Sequence, residues 1–251
     1  MAQKTLKSVL TLKIDREGGA NGAAVAWHPV QKKYYAAMAG NVSFPLEVFD
    51  VKGKMLSDDN LETQFDIRGF WYNPNRKSLQ MNGYNDFGWA EYKVNGNGIP
   101  IEVVKMPFTA SQPSEQSAGA YDPKKNAVYF LNFETKGAER HDAKTGVEEV
   151  TIKLHLGAKK AEDIQTIEAK EIKDEYNENA LIFTDVTNGE LGLLNVTSRQ
   201  IELYSTTTGY MTQVLSLPDD ANVELSLNFS YCNGMYWLFD KKLREWRGYK
   251  A

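Results

Sequence analysis

Ala26-Trp27-His28-Pro29-Val30-Gln31-Lys32-Lys33-Tyr34-Tyr35 aligns without a gap on Trp71-Tyr72-Asn73-Pro74-Asn75-Arg76-Lys77-Ser78-Leu79-Gln80 and on Ala120-Tyr121-Asp122-Pro123-Lys124-Lys125-Asn126-Ala127-Val128-Tyr129. Each copy runs through an aromatic residue, a polar turn opener, proline, a polar triplet and a fresh apolar run. His, Asn or Asp ahead of Pro opens a turn, and the pyrrolidine ring presets φ for it. The prolines stand 45 and 49 residues apart.

A second marker, a large ring shortly before a glycine, follows each copy. It reads Val48-Phe49-Asp50-Val51-Lys52-Gly53, then Glu91-Tyr92-Lys93-Val94-Asn95-Gly96, then Arg140-His141-Asp142-Ala143-Lys144-Thr145-Gly146. Leu203-Tyr204-Ser205-Thr206-Thr207-Thr208-Gly209 and Glu245-Trp246-Arg247-Gly248 extend the series to five. A period in the forties with several short strands per unit is the signature of propeller blades. The expected fold is therefore all-β, a five-bladed β-propeller occupying residues 1–251 as one domain. In unit five the strands are expected over 223–227, 235–239 and 243–246, and the chain then ends before a fourth. Ser8-Val9-Leu10-Thr11-Leu12-Lys13-Ile14 reads like the fourth strand of unit three, so the N-terminal strand is expected to close the last blade and remove both open edges.

The step between the rings of units three and four is 63 residues, which marks an insertion at about 155–179. It carries four Lys and seven Asp or Glu, favours a helix over 158–164, and alternates over 166–173 in a way that suits a strand or a charge-paired helix. A six-bladed ring, with a degenerate blade in this insertion, is the alternative.

Composition narrows the function classes. Lys and Arg total 29 against 33 Asp and Glu, a net charge of -4, so no nucleic-acid partner is expected. No run of 18 apolar residues exists, so no membrane span is expected. One cysteine, Cys232, forbids an intrachain disulfide. The polar start after Ala2-Gln3 suits the stub of a trimmed signal, and with the scarcity of Cys it suggests a periplasmic or extracellular protein.

The repeated module resembles the repeats of the broad NHL, YVTN and WD40-like β-propeller superfamily. The likeness covers nearly the whole chain, but the Gly-His and Trp-Asp pairs of WD40 repeats and the Tyr-Val-Thr-Asn quartet are absent. It implies a propeller and carries over no functional residue. Single-domain propellers of this kind that look exported and bacterial are often binding or surface proteins, which is analogy at the level of the fold.

In a meander of this kind the first-to-second and third-to-fourth turns share one face, and the longer, variable connections share the other. Binding residues favour variable loops on a rigid scaffold. The loop Asn82-Gly83-Tyr84-Asn85-Asp86-Phe87-Gly88-Trp89 concentrates three rings, amides and a carboxylate, which suits a sugar ring or an amphipathic peptide. Arg68, Tyr84, Asn85, Asp86, Trp89 and Glu134 are the expected ligand contacts, although Tyr84 and Trp89 also suit packing between blades. The leading function is a non-catalytic binding propeller for a glycan, peptide or protein. The alternative is a propeller hydrolase or lyase acting on a sugar or lactone, with Asp86, Glu134 or Asp240 in the channel. The three histidines show no metal-ligand spacing, so no metal and no cofactor are expected. His141 and Cys232 read as core residues, and Asp185-Val186-Thr187-Asn188-Gly189-Glu190 reads as a hairpin turn rather than a cation loop.

Overall fold

The computed structural model describes residues 4–18, 21–57, 62–107, 112–169 and 174–251. The chain opens with β1 (Lys4–Thr5) and β2 (Lys7–Lys13), which join blades completed near its other end. Blade one contains β3 (Asn21–His28), β4 (Lys33–Ala39) and β5 (Glu47–Phe49). Blade two contains β6 (Ile67–Asn73), β7 (Ser78–Gly83), β8 (Trp89–Val94) and β9 (Pro100–Lys105). Blade three contains β10 (Ala120–Asp122), β11 (Ala127–Asn132), β12 (Gly137–Asp142) and β13 (Glu148–Lys153). A helix, α1 (Ala161–Ala169), leads into blade four, made of β14 (Tyr176–Phe183), β15 (Leu191–Asn195), β16 (Gln200–Tyr204) and β17 (Met211–Ser216). Blade five contains β18 (Phe229–Cys232), β19 (Met235–Asp240) and β20 (Glu245–Lys250). The result is the five-bladed ring that the repeats imply, and the insertion supplies a helix rather than a sixth blade.

Every blade is an antiparallel meander with its first strand at the centre of the ring. The N-terminal strand closes the last one as expected: β2 pairs antiparallel with β20, Leu12 opposite Trp246. The closure reaches further than the sequence suggested, because β1 adds a parallel fifth strand to blade four, Lys4 opposite Leu215. Leu6, between them, is buried and donates its N–H to Ser216 O at 2.9 Å. One short segment therefore ties blades four and five together. Among the described residues, blade one has no regular fourth strand, and Leu56 N–H donates to Val48 O across its outer edge.

The apolar core is divided into five layers, one between each pair of neighbouring blades. Leu12, Tyr34, Phe49, Trp237 and Trp246 fill the layer between blades five and one. Trp71, Trp89, Val128 and Phe130 fill the one between blades two and three. Flat rings suit these layers because two twisted sheets meet there face to face.

Two local readings change. The expected first strand of unit five at 223–227 is irregular, and the strand lies at β18 instead. Leu227 and Asn228 both adopt left-handed backbone, φ 53° and 58°, which no strand accommodates. The fifth once-per-blade ring is Tyr249 rather than Trp246. Tyr249 faces Tyr236 across β19–β20, as Phe49 faces Tyr34, Tyr92 faces Leu79 and Tyr204 faces Leu191. Gly248 misled the reading because it lies inside β20, where a Cβ would come within 3.0 Å of the Trp237 ring. Among the described residues, no helix is long and apolar enough to cross a membrane.

Candidate functional site

The five first strands end alike. Trp27, Tyr72, Tyr121, Phe183 and Tyr231 each stand one residue ahead of the last strand position or at it, and each faces the second strand of its own blade in the same register. The following residue folds back to hold the turn. Asn73 Oδ1 accepts from Asn75 N–H at 2.9 Å, Asp122 Oδ1 from Lys124 N–H at 2.8 Å, and Thr184 Oγ1 from Val186 N–H at 3.1 Å. His28 does the same work with Nδ1, accepting from Gln31 N–H at 3.3 Å. A left-handed residue then turns the chain into the second strand: Lys32, Lys77, Asn126 and Asn188, all with φ between 50° and 60°. The Asp185–Glu190 segment is thus a hairpin turn, as the sequence indicates.

These five rings surround a central cavity of about 400 Å³. Its walls are small and apolar, with Ala24 from β3, Gly69 from β6, and Ala118 and Gly119 just ahead of β10. Gly69 is required for close approach, since a Cβ there would lie 2.3 Å from the Gly119 N. Asn82 locks that contact: its Oδ1 accepts from the N–H of both Gly69 and Gly119 at 2.9 Å. The rim is formed by the exposed first-to-second turn residues Pro29, Pro74, Pro123, Asp185 and Asn233. The cavity therefore opens on the tight-turn face.

Each ring is backed by a second one. Trp27 lies 4.5 Å from Tyr34, Tyr72 4.4 Å from His28, Tyr121 6.3 Å from Trp71, Phe183 5.6 Å from Tyr129 and Tyr231 5.1 Å from Tyr236. Such pairs fix the rings before any ligand arrives. Several polar groups of the lining are committed within the fold. Ser230 Oγ bridges Val25 N and O, both at 3.0 Å, and Asn233 Nδ2 donates to Tyr34 Oη at 2.6 Å. Tyr121 Oη donates to Asn126 Oδ1 at 2.9 Å. Burial and the neighbouring Asp185 carboxylate push the Tyr231 phenol up to about 12. Burial raises the Cys232 thiol, so it stays protonated and is a poor nucleophile. Beside the cavity, a depression of about 140 Å³ between the turns of blades three and four shares Pro123, Phe183 and Asp185 with it and adds Lys124, Lys125 and Glu190.

Arg68, Tyr84, Asn85, Trp89 and Glu134, five of the six residues expected from the sequence, do not line this cavity. Arg68 and Tyr84 do meet on the long-loop face: the guanidinium lies 4.8 Å from the Tyr84 ring centroid. Arg68 itself is buried and held by Asp66 at 2.5 Å and Gln116 at 2.7 Å. Asn85 is exposed beside them, and the Asp86 side chain lies outside the described residues. Trp89 is fully buried against Trp71 and Phe130, so its ring packs the blades and presents no face to a ligand. Glu134 is exposed on the β11–β12 turn, and Asp240 caps the β19–β20 turn by accepting from Lys242 and Leu243. The rings at 27, 72 and 121 were visible in the repeat as turn markers. Phe183 and Tyr231 lack the following proline, which hid the pattern of five.

No protein-family model and no curated protein matches the chain. Among solved structures, Myxococcus xanthus glutaminyl cyclase superposes with a TM-score of 0.62 at 9% identity, covering 99% of this chain and 97% of that one. The β-propeller domain of Myceliophteria thermophila Cps50 (Swd1) gives 0.49 at 10% identity, covering 94% and 84%. Likeness at that identity concerns the fold alone.

Proposed function

We propose that this propeller is a non-catalytic binding module that takes an apolar or alkylammonium side chain of a peptide or protein partner into its central cavity. The observation that carries this reading is the ring of five aromatic residues, one from each blade, around a preformed cavity of about 400 Å³. Aromatic faces attract cations and cover apolar groups, and Asp185 at the rim supplies a negative charge. A glycan fits less well, because sugar hydroxyls need unspent donors and acceptors, whereas Ser230 and Tyr121 direct their hydroxyls within the fold and Asn233 Nδ2 is engaged by Tyr34. A hydrolase or lyase acting through paired carboxylates is disfavoured because Asp185 is the single carboxylate among the described residues that line the cavity.

Benzyltrimethylammonium and a methyl glycoside serve as probes, titrated against the full chain by calorimetry. Saturable binding of the ammonium probe is expected, weakened at least tenfold in a Phe183→Ala, Tyr231→Ala double variant and retained in Tyr84→Ala. Preference for the glycoside, or loss in Tyr84→Ala alone, would return the site to the long-loop face and refute the cavity.

A further inference from the structure

Four blades place Phe49, Tyr92, Tyr204 and Tyr249 at one buried position of the third strand; blade three places His141 there, facing Val128 on β11. A histidine where a plain ring suffices brings two nitrogens into the core, and each needs an account. Nδ1 lies 3.0 Å from Gly146 O. A carbonyl oxygen only accepts, so Nδ1 is the nitrogen that donates to it and Nε2 is the one turned toward a possible ligand. The side chain is 1% exposed, and Nε2 has no hydrogen-bond partner.

Two carboxylates face that nitrogen. Glu139 precedes His141 by two residues on β12 and so shares its side of the strand. Glu148 comes from β13, where a bulge at Arg140/His141 shifts the register and sets it directly opposite His141. Glu139 Oε2 lies 3.6 Å from His141 Nε2, and one ligand atom from each of the three residues falls within 4.8 Å of the other two.

Each group is oriented by a bond through its other atom. Asn132 Nδ2 donates to Glu139 Oε1 at 2.8 Å, Thr151 Oγ1 to Glu148 Oε1 at 2.7 Å, and His141 uses Nδ1 on Gly146 O. Outer bonds of this kind hold metal ligands in place and leave one donor atom of each free. Two carboxylates converging on one buried imidazole nitrogen concentrate negative charge and donor atoms where a cation would be held.

We propose that Glu139, His141 and Glu148 form a binding site for a divalent transition cation. One imidazole nitrogen with two carboxylate oxygens suits Zn²⁺ better than the all-oxygen ligand sets of Mg²⁺ or Ca²⁺. Three protein ligands leave a fourth position for water, and Glu148 brings the site to the surface. The ion clips the outer strand β13 to β12. This site is independent of the aromatic cavity, to which none of the three residues contributes.

The test uses the full chain stripped with chelator, titrated with Zn²⁺ by calorimetry and with Co²⁺ by visible absorption. The expected result is one saturable equivalent, a Co²⁺ spectrum of nitrogen and oxygen ligation, and a higher melting temperature with Zn²⁺. Glu148→Gln, at an exposed position that tolerates change, should weaken binding at least tenfold. His141→Phe restores the ring type of blade one, should fold with an unchanged circular dichroism spectrum, and should abolish the site. Absence of saturable binding would leave the cluster an ion pair of protonated His141 and overturn the proposal. Binding equally tight in both variants, or lost only on changing His28 or His155, would overturn it as well.

Discussion

Trp89 and Tyr84 sit five residues apart in one short loop region, yet burial separates their roles. Trp89 lies in the layer between blades two and three against Trp71 and Phe130, whereas Tyr84 is only partly covered and carries the Arg68 guanidinium on its ring. Removing a buried indole leaves a cavity the neighbouring sheets cannot fill. Trp89→Ala should therefore lower unfolding stability by about 3–5 kcal/mol in urea denaturation. Tyr84→Ala, away from the core, should stay within about 0.5 kcal/mol. Equal costs for the two would contradict this division. The residue types of that loop were legible in the sequence, but their burial was not. A ring directly after a glycine, as Tyr84 and Trp89 both are, reads the same whether it faces solvent or a neighbouring sheet.

Among the elements, the N-terminal segment has the widest reach. β2 satisfies the open edge of β20 through six paired positions, and β1 extends blade four. Leu12 and Ile14 belong to the apolar layer between blades five and one, and Leu6 to the layer between four and five. Deleting residues 1–14 thus removes one strand from each of two blades and opens both layers. Loss of a single cooperative thermal transition is expected, followed by near-ultraviolet circular dichroism; an unaltered melting curve would refute the closure. This closing role could be read beforehand, because Ser8–Ile14 repeats the alternation of an outer strand and the last unit lacked one. Blade five's inner strand could not. Val223–Leu227 alternates as a strand does, but two successive left-handed residues and the register of β19 shift the pairing to β18.

At the scale of the whole ring, its many tyrosines become a collective property. Burial holds the phenols of Tyr121 and Tyr231 up to about 12, and burial raises those of Tyr35, Tyr92, Tyr176, Tyr204 and Tyr236 as well. In the unfolded chain a tyrosine titrates near about 10. The folded state then keeps protons that the unfolded chain releases, so this stability is complete below that value and falls as pH rises through the folded values. Urea midpoints should drop steeply between about pH 10 and 12 together with the phenolate absorbance. A flat profile would mean that these rings are wet.

Five against six blades was decided by the helix the insertion forms. The linear order of residues dictated the repeating blades, the turn chemistry that joins their strands and the strand that closes the ring. All of these depend on contacts between residues near in sequence or on a repeated pattern, and such contacts leave a periodic trace. Only the closed ring settled which rings meet and at which end the channel opens. Trp27, Tyr72, Tyr121, Phe183 and Tyr231 are spread over the length of the chain and become neighbours because five first strands converge on one axis. Glu139, His141 and Glu148 lie close in sequence, yet a single bulge sets which acidic residue of β13 faces the imidazole. Convergence around an axis and a one-residue slip in register leave no periodic mark, so both emerged from packing alone.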